Sequence, residues 1–396
     1  MKSRLPVVFI FATLVIDAMG IGLIIPVMPS LIRDVTGGDL ANAAIWGGIL
    51  STSFAVMQFL FGPVVGNLSD RFGRRPVLLF SMGAMAIDYV VMALAGTIWL
   101  LFAGRIFGGI LAATQSTANA FMADISKPED KAANFGLLGA AFGIGFVLGP
   151  LIGGVLAGID TRAPFWAAAL IAALNFTLGY FVLPETVTDR IRRPFEWRRA
   201  NPFGAFRYIG RLPGVGRLLL LFFLYEFAFF VFPAIWAYFT QARFGWGEGM
   251  IGVSLASFGI AIAVVQGLLM RPILKTFGHR GTILFGFGFN LASFLFLAVV
   301  TNGTIALIMT PLTALGAITT PALQAMASHR VGDDQQGELQ GAITSIRSIA
   351  VILSPLVMTQ TFAIFTPLGY PSTPFLLSAV IMTLCIVVFL TRKRGQ

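Results

Sequence analysis

The chain has 396 residues, 57% hydrophobic and 11% charged, with a mean hydropathy of +0.86. That balance excludes a soluble multidomain protein and describes an integral membrane protein, a class in which 44 Gly and 20 Pro are at home. One Cys and two His cannot build a disulfide framework or a Cys/His metal centre, and no nucleophile–base constellation points to an enzyme.

Apolar windows fall at 6–28, 43–65, 76–97, 99–121, 134–158, 164–183, 216–239, 250–271, 281–301, 304–325, 338–360 and 374–391. Each is long enough to cross ~30 Å of hydrocarbon at ~1.5 Å per residue. Lipid leaves only helices or closed barrels, and nothing here alternates with period two over ten-residue segments. The expected fold class is therefore all-α integral membrane, with twelve transmembrane helices. Met1–Arg4 and the run behind them superficially resemble a signal peptide. That run lacks a small-residue cleavage site and carries Asp17, so it is expected to be the first membrane helix.

Lys and Arg set the orientation. Lys2, Arg4, Arg71, Arg74, Arg75, Lys127, Lys131, eight Arg between 190 and 217, Arg271, Lys275, Arg280, Arg330, Arg392, Lys393 and Arg394 fall on one side. Only Arg33, Arg162 and Arg243 fall on the other. The positive-inside rule puts the first side, with both termini, in the cytoplasm. The net charge of +10 is then a lipid-facing inner rim, and nucleic acid is not an expected partner.

Residues 184–215 form the one long break, a cytoplasmic linker between bundles 1–183 and 216–396. Phe195, Trp197, Phe203 and Phe206 interleave with its Arg, so a solvated linker and an amphipathic surface helix both remain open. The halves repeat. Phe72-Gly73-Arg74-Arg75 recurs as Phe277-Gly278-His279-Arg280, and Gly149-Pro150-Leu151 as Ser354-Pro355-Leu356, both at an offset of 205. Two parallel six-helix bundles are a pattern of alternating-access carriers, whose site lies near the midplane between repeats.

Between the second and third windows, Gly66-Asn67-Leu68-Ser69-Asp70-Arg71-Phe72-Gly73-Arg74-Arg75-Pro76 packs four charges into six residues. With twelve helices and a long central loop, it resembles the loop motif of the major facilitator superfamily. Gly145-Phe146-Val147-Leu148-Gly149-Pro150-Leu151-Ile152-Gly153-Gly154 looks like the fifth-helix motif of its proton-coupled exporters. Leu101 and Arg105, followed by Gly108-Gly109, look like their fourth-helix motif. Asp17-Ala18-Met19-Gly20-Ile21-Gly22-Leu23-Ile24-Ile25-Pro26-Val27-Met28-Pro29, Asp88-Tyr89, Arg243-Phe244-Gly245-Trp246 and Pro321-Ala322-Leu323-Gln324 are similar to the tetracycline/proton antiporters.

The resemblance implies a proton-coupled exporter of an amphiphilic, tetracycline-like drug, working by alternating access as a monomer in the bilayer. The alternative on the same scaffold is an exporter of another drug, metabolite or organic anion. No resident cofactor is expected, but Mg²⁺ carried with the substrate as a chelate would suit a pocket with acidic oxygen ligands. The resemblance also makes Asp17, Asp88 and Arg105 the inherited site residues, with Gln58 beside the cavity. It makes Asp70, Arg71 and Arg74, between Gly66 and Gly73, half of a cytoplasmic gate with Asp124 as partner. The small-residue face of Gly145, Gly149, Pro150, Gly153 and Gly154 is expected to slide against a helix of the other half.

A charge inside a membrane helix costs about 2.5 kcal/mol or more, so each one needs a reason. Asp17, Asp88, Arg105, Glu226 and Arg347 all stand inside apolar windows. A carboxyl group withdrawn from water takes up a proton more readily, so substrate and proton can compete for one site. Packing carboxylates and a structural Glu226–Arg347 ion pair are the plainer readings. The chain departs from its relatives in helix 9, where Asn290 stands for their Asp, and in helix 8, where Ile262 stands for the His of some members. Glu226, paired with Arg347, is therefore expected to supply the titratable group of the second half. The Phe of the seventh window (Phe222, Phe223, Phe227, Phe229, Phe230, Phe232) are expected to face lipid for the most part.

Overall fold

The structure, a computed structural model, describes residues 5–112, 114–127, 130–188, 192–197, 200–204, 214–332 and 335–391. Among the described residues eleven helical runs are long and apolar enough to cross a membrane. One of them, Glu248–Val299, has 52 residues, more than twice what a bilayer needs. Its backbone breaks at Gly278 (φ 63°, ψ 176°), so it makes two crossings, and the twelve expected spans are present.

The chain forms two compact units. The first comprises Met1–Gly37, Ser53–Pro202 and Glu248–Ala256; the second comprises Gly38–Thr52, Phe203–Gly247 and Ser257–Gln396. Each is built mainly from one sequence half and includes a short piece of the other.

The first half supplies α1 (Leu5–Ile24), α2 (Met28–Thr36), α3 (Leu40–Phe72), α4 (Arg74–Leu94), α5 (Ile98–Leu111), α6 (Thr114–Ile125), α7 (Lys131–Ala157) and α8 (Ala163–Val182). Their faces divide by contact with protein or lipid. On α4, Phe80, Ile87 and Leu94 recur every seven residues and are exposed, whereas Leu78, Met82, Met85 and Met92 are buried. Phe9, Ile10 and Leu14 of α1, with Leu79 and Met82 of α4 and Phe121 of α6, form the core of this unit.

The second half supplies α9 (Gly216–Phe229), α10 (Val231–Phe244), α11 (Glu248–Val264), α12 (Met270–Val299), α13 (Gly303–Thr313), α14 (Thr319–Ser328), α15 (Gln336–Phe365) and α16 (Thr373–Leu390). Its core is aromatic. Phe232 lies 5.5–6.0 Å from the rings of Phe229, Phe258, Phe294, Phe375 and Trp236. Phe222, Phe232 and Trp236 are buried, and none of the six Phe expected to face lipid is exposed. The expectation is corrected for Phe222 and Phe232, which pack into the bundle, where dense packing drives helix association in an apolar solvent; Phe223, Phe227, Phe229 and Phe230 are half-buried.

The described part of the 184–215 linker contains no helix. It runs as extended chain and turns under the 66–76 loop: Asn67 Nδ2 donates to Glu196 O (2.8 Å), and Arg193 N donates to Asp70 O (3.3 Å). Trp197 and Phe203 are exposed, and Phe206 lies outside the described residues.

Candidate functional site: acids beside interrupted helices

Backbone polar groups in lipid must be satisfied locally, so an interrupted membrane helix needs a reason. Two interruptions fall at corresponding places in the repeat. The fourth window, expected as one helix, is α5 and α6, with Ala112 (φ −73°, ψ 63°) out of helical geometry. The tenth is α13 and α14, joined by a 3₁₀ turn, Ala314–Ile318. Each break frees a carbonyl, and each carbonyl is met by a side chain. Gln58 Nε2 approaches Ala112 O at 3.4 Å. Gly316 O accepts from Thr319 Oγ1 (2.9 Å), Asn290 Nδ2 (3.0 Å) and Tyr225 Oη (3.3 Å). Asn290 sits so close over Gly316 that a methyl there would overlap its amide.

A membrane-embedded acid lies beside each break. In the first unit Asp17 lines a small, mostly apolar cavity with Thr114 (the first residue of α6), Tyr89, Met82 and Asn175. No cation pairs with Asp17 among the described residues. The Tyr89 hydroxyl packs on Gly20, where no Cβ would fit. In the second unit Glu226 is buried; Thr320 Oγ1 donates to its Oε1 (3.3 Å) and Arg347 Nε lies 3.4 Å from Oε2. Glu226 stands one turn before the α9/α10 break at Phe230, where Ser354 and Ser378 hydroxyls donate to the carbonyls of Phe227 (2.7 Å) and Ala228 (3.1 Å).

Asp88 and Arg105 form a second, sealed pair in the first unit. The Arg105 guanidinium bonds Asp88 Oδ2, lies 2.7 Å from Met92 Sδ and stacks over Phe54 at 5.1 Å. Their side chains are only 2% and 13% exposed. Gly104 and Gly108 on α5 make the room: a Cβ at Gly108 would fall 2.8 Å from Asp88 Oδ2, and one at Gly104 3.1 Å from Oδ1. Asp88 Oδ1 and Arg105 Nε have no further hydrogen-bond partner, so the ion pair is the acid's chief compensation for burial.

At the Arg-rich end, Arg74 is the hub of the 66–76 loop. It reaches Asp70 Oδ1 (2.5 Å), Asp124 Oδ2 (3.1 Å) and Ser69 Oγ (2.6 Å), and Ser69 Oγ donates to Gly66 O (2.7 Å). Arg71 lies over Phe72 at 5.2 Å, outside that network. Gly73 (φ 113°) turns the chain into α4. Its missing Cβ admits Glu185, which accepts from Arg74 N (2.9 Å) and Arg75 N (3.3 Å) and so caps α4 with negative charge. Asp124 also accepts from Thr186 Oγ1 (3.1 Å).

The helix-5 glycines pack differently from the expectation. Gly145, Gly149 and Gly153, spaced four apart on α7, lie against α1 of the same half; a Cβ on any of them would strike the backbone at Val15, Met19 or Leu23. Gly154 meets the second sequence half at Glu248 and Gly249, and Pro150 closes both on Gly22 of α1 and on Gly252 of α11. A Cβ-free stripe lets the two backbones approach closely along its whole length.

The structure thus joins Asp88 with Arg105, Glu226 with Arg347, and Arg74 with Asp70 and Asp124. It brings Gln58 to the α5/α6 break and Asn290 to the α13/α14 break. Thr114, Tyr225, Gly316, Thr319, Thr320 and Glu185 join these clusters without a sequence signal strong enough to single them out.

Comparison with known proteins identifies the family. The profile of the Major Facilitator Superfamily matches residues 10–355 and 218–396. The class C tetracycline resistance protein of Escherichia coli is 43% identical over 92% of this chain and 91% of its own length. The class G tetracycline resistance protein of Vibrio anguillarum is 37% identical over 94% of each. The crystal structure of the nucleoside transporter NupG shares the fold at a TM-score of 0.80, with 13% identity over 99% of this chain and all of that one. The chain belongs to the major facilitator superfamily, in the family of the tetracycline resistance proteins.

Proposed function

We propose that this chain exports tetracycline-like drugs in exchange for protons, by alternating access. The observation that carries the reading is the pairing, in each unit, of a membrane-embedded acid with an interrupted helix: Asp17 beside the α5/α6 break and Glu226 beside the α13/α14 break. Discontinuous helices at corresponding positions of two repeats are the arrangement in which transporters expose backbone and side-chain ligands to a cargo.

Each acid has a distinct part in the cycle. Asp17 gives up its proton when drug arrives from the cytoplasm and takes one again on the other side, so the two cargoes compete for one group. A Mg²⁺ ion chelated by the drug travels as part of the substrate, and a carboxylate oxygen is a suitable ligand for it. Glu226 is the coupling acid of the second half, where Asn290 does not titrate; its charge is shared with Arg347 or neutralised by a proton. Asp88 and Arg105, closed on each other, position α4 against α5 and do not exchange protons. The protein acts as a monomer in the bacterial inner membrane, with the Arg-rich end and both termini in the cytoplasm.

A second reading has one observation in its favour: the Arg347 side chain is 62% exposed and offers a cation to an organic anion. Expression in a bacterium stripped of its own efflux pumps separates the two. The proposal expects lowered tetracycline susceptibility; unchanged susceptibility removes the drug and leaves an exporter of another cargo.

A further inference from the structure

The repeat relates more than the loop sequence. At the offset of 205, Gly73 corresponds to Gly278, Arg74 to His279 and Asp124 to His329. Both glycines have positive φ, 113° and 63°, so the backbone turn is kept. In the first half the next residue forms the ion pair Arg74–Asp124, Nε to Oδ2 at 3.1 Å. In the second half the same two positions meet as an imidazole pair: the His279 and His329 rings lie edge to face with centroids 5.3 Å apart. They are the only two histidines in the chain. The geometry of the contact has survived duplication while its chemistry has changed from a fixed ion pair to two titratable groups. The acid that flanks Arg74 is also gone, since Lys275 replaces Asp70.

The surroundings are basic. Arg271, Lys275 and Arg280 lie on α12 and Arg330 follows α14, with Glu338 in the first turn of α15 as the acid among the described residues there. Asp333 and Asp334 lie outside the described residues. Arg280 is engaged over the Phe389 ring of α16 (5.8 Å), and Arg330 donates to Gly214 O (3.0 Å). His279 Nδ1 is buried with no hydrogen-bond partner. Histidine changes charge between about pH 5 and 8. Two neutral rings pack favourably; two imidazolium ions at this distance, among lysine and arginine, repel.

We propose that the His279–His329 contact is a proton-binding site at the cytoplasmic end of the second half, closed when both rings are neutral and loosened when both are protonated. It makes the second copy of the loop responsive to cytoplasmic acidification, where the first copy is held by a permanent ion pair. The inference rests on the fold and the charge distribution, and holds whatever the cargo.

The test is histidine-labelled full-length protein in lipid nanodiscs, which gives two imidazole signals to follow by NMR from about pH 8 to about pH 5. The expected result is coupled titration: each signal senses the ionisation of the other, and His329→Gln turns the His279 curve into a single step. A melting series on the double variant His279→Arg, His329→Asp, which rebuilds the first-half ion pair, accompanies it. Between about pH 8 and 6 the wild type should lose several degrees of melting temperature more than this variant. Independent titration of the two signals, or equal pH slopes for wild type and variant, would overturn the proposal.

Discussion

Asp88–Arg105 and Glu226–Arg347 are both ion pairs inside membrane helices, and they are held very differently. Both acids are buried, but the arginines differ: the Arg105 side chain is 13% exposed and Arg347 62%. Arg105 is wedged between Met92, Phe54 and Asp88, and Gly104 and Gly108 close on the Asp88 carboxylate from the side-chain-free face of α5. Arg347 touches its acid at one nitrogen, 3.4 Å away, with Thr320 as the other ligand. A sealed pair fixes helix positions. A loosely held pair can release its acid to a proton or its guanidinium to a cargo.

The largest expected difference lies in stability. Arg105→Ala strands a buried carboxylate and should cost about 3–5 kcal/mol, read as a large drop in melting temperature of the detergent-purified protein. Arg347→Ala removes a mostly solvated cation that touches Glu226 at one nitrogen, with Thr320 left in place, and should cost less, about 1–3 kcal/mol. Equal losses would erase the distinction between the pairs. Next in size is Gly108→Ala, whose methyl must push Asp88 aside. An overpacking cost of about 1–3 kcal/mol is expected in the same melting assay, with no counterpart at Gly62, where a Cβ would meet open space. The smallest is Glu185→Ala at the N-terminus of α4, expected to cost about 1 kcal/mol and to raise hydrogen exchange at the first amides of α4.

Much of this was legible in the sequence, because a charge in an apolar window has to find a partner. That constraint singles out Asp88, Arg105, Glu226 and Arg347, whereas Asp124 comes from the resemblance of the 66–76 loop to the family's gate motif. The helix interruptions were less visible. Ala112 carries no helix-breaking side chain, and its departure from helical geometry is sustained by tertiary neighbours such as Gln58. Glu185 lies past the end of α8, and nothing local says that it caps α4, 110 residues earlier in the chain. The stripe Gly145, Gly149 and Gly153 announced a close helix contact but not its partner, since any backbone can fill a groove without Cβ atoms. The seventh-window Phe misled because an apolar side chain suits lipid and protein core equally well.

The central claim is that the loosely held pair, unlike the sealed one, takes part in coupling. Proteoliposomes with a pH-sensitive dye inside and tetracycline added outside report drug movement and proton counter-movement together. For Glu226→Gln the account predicts that drug still equilibrates across the membrane, while proton movement coupled to it falls at least tenfold. Wild-type coupling in Glu226→Gln would contradict it.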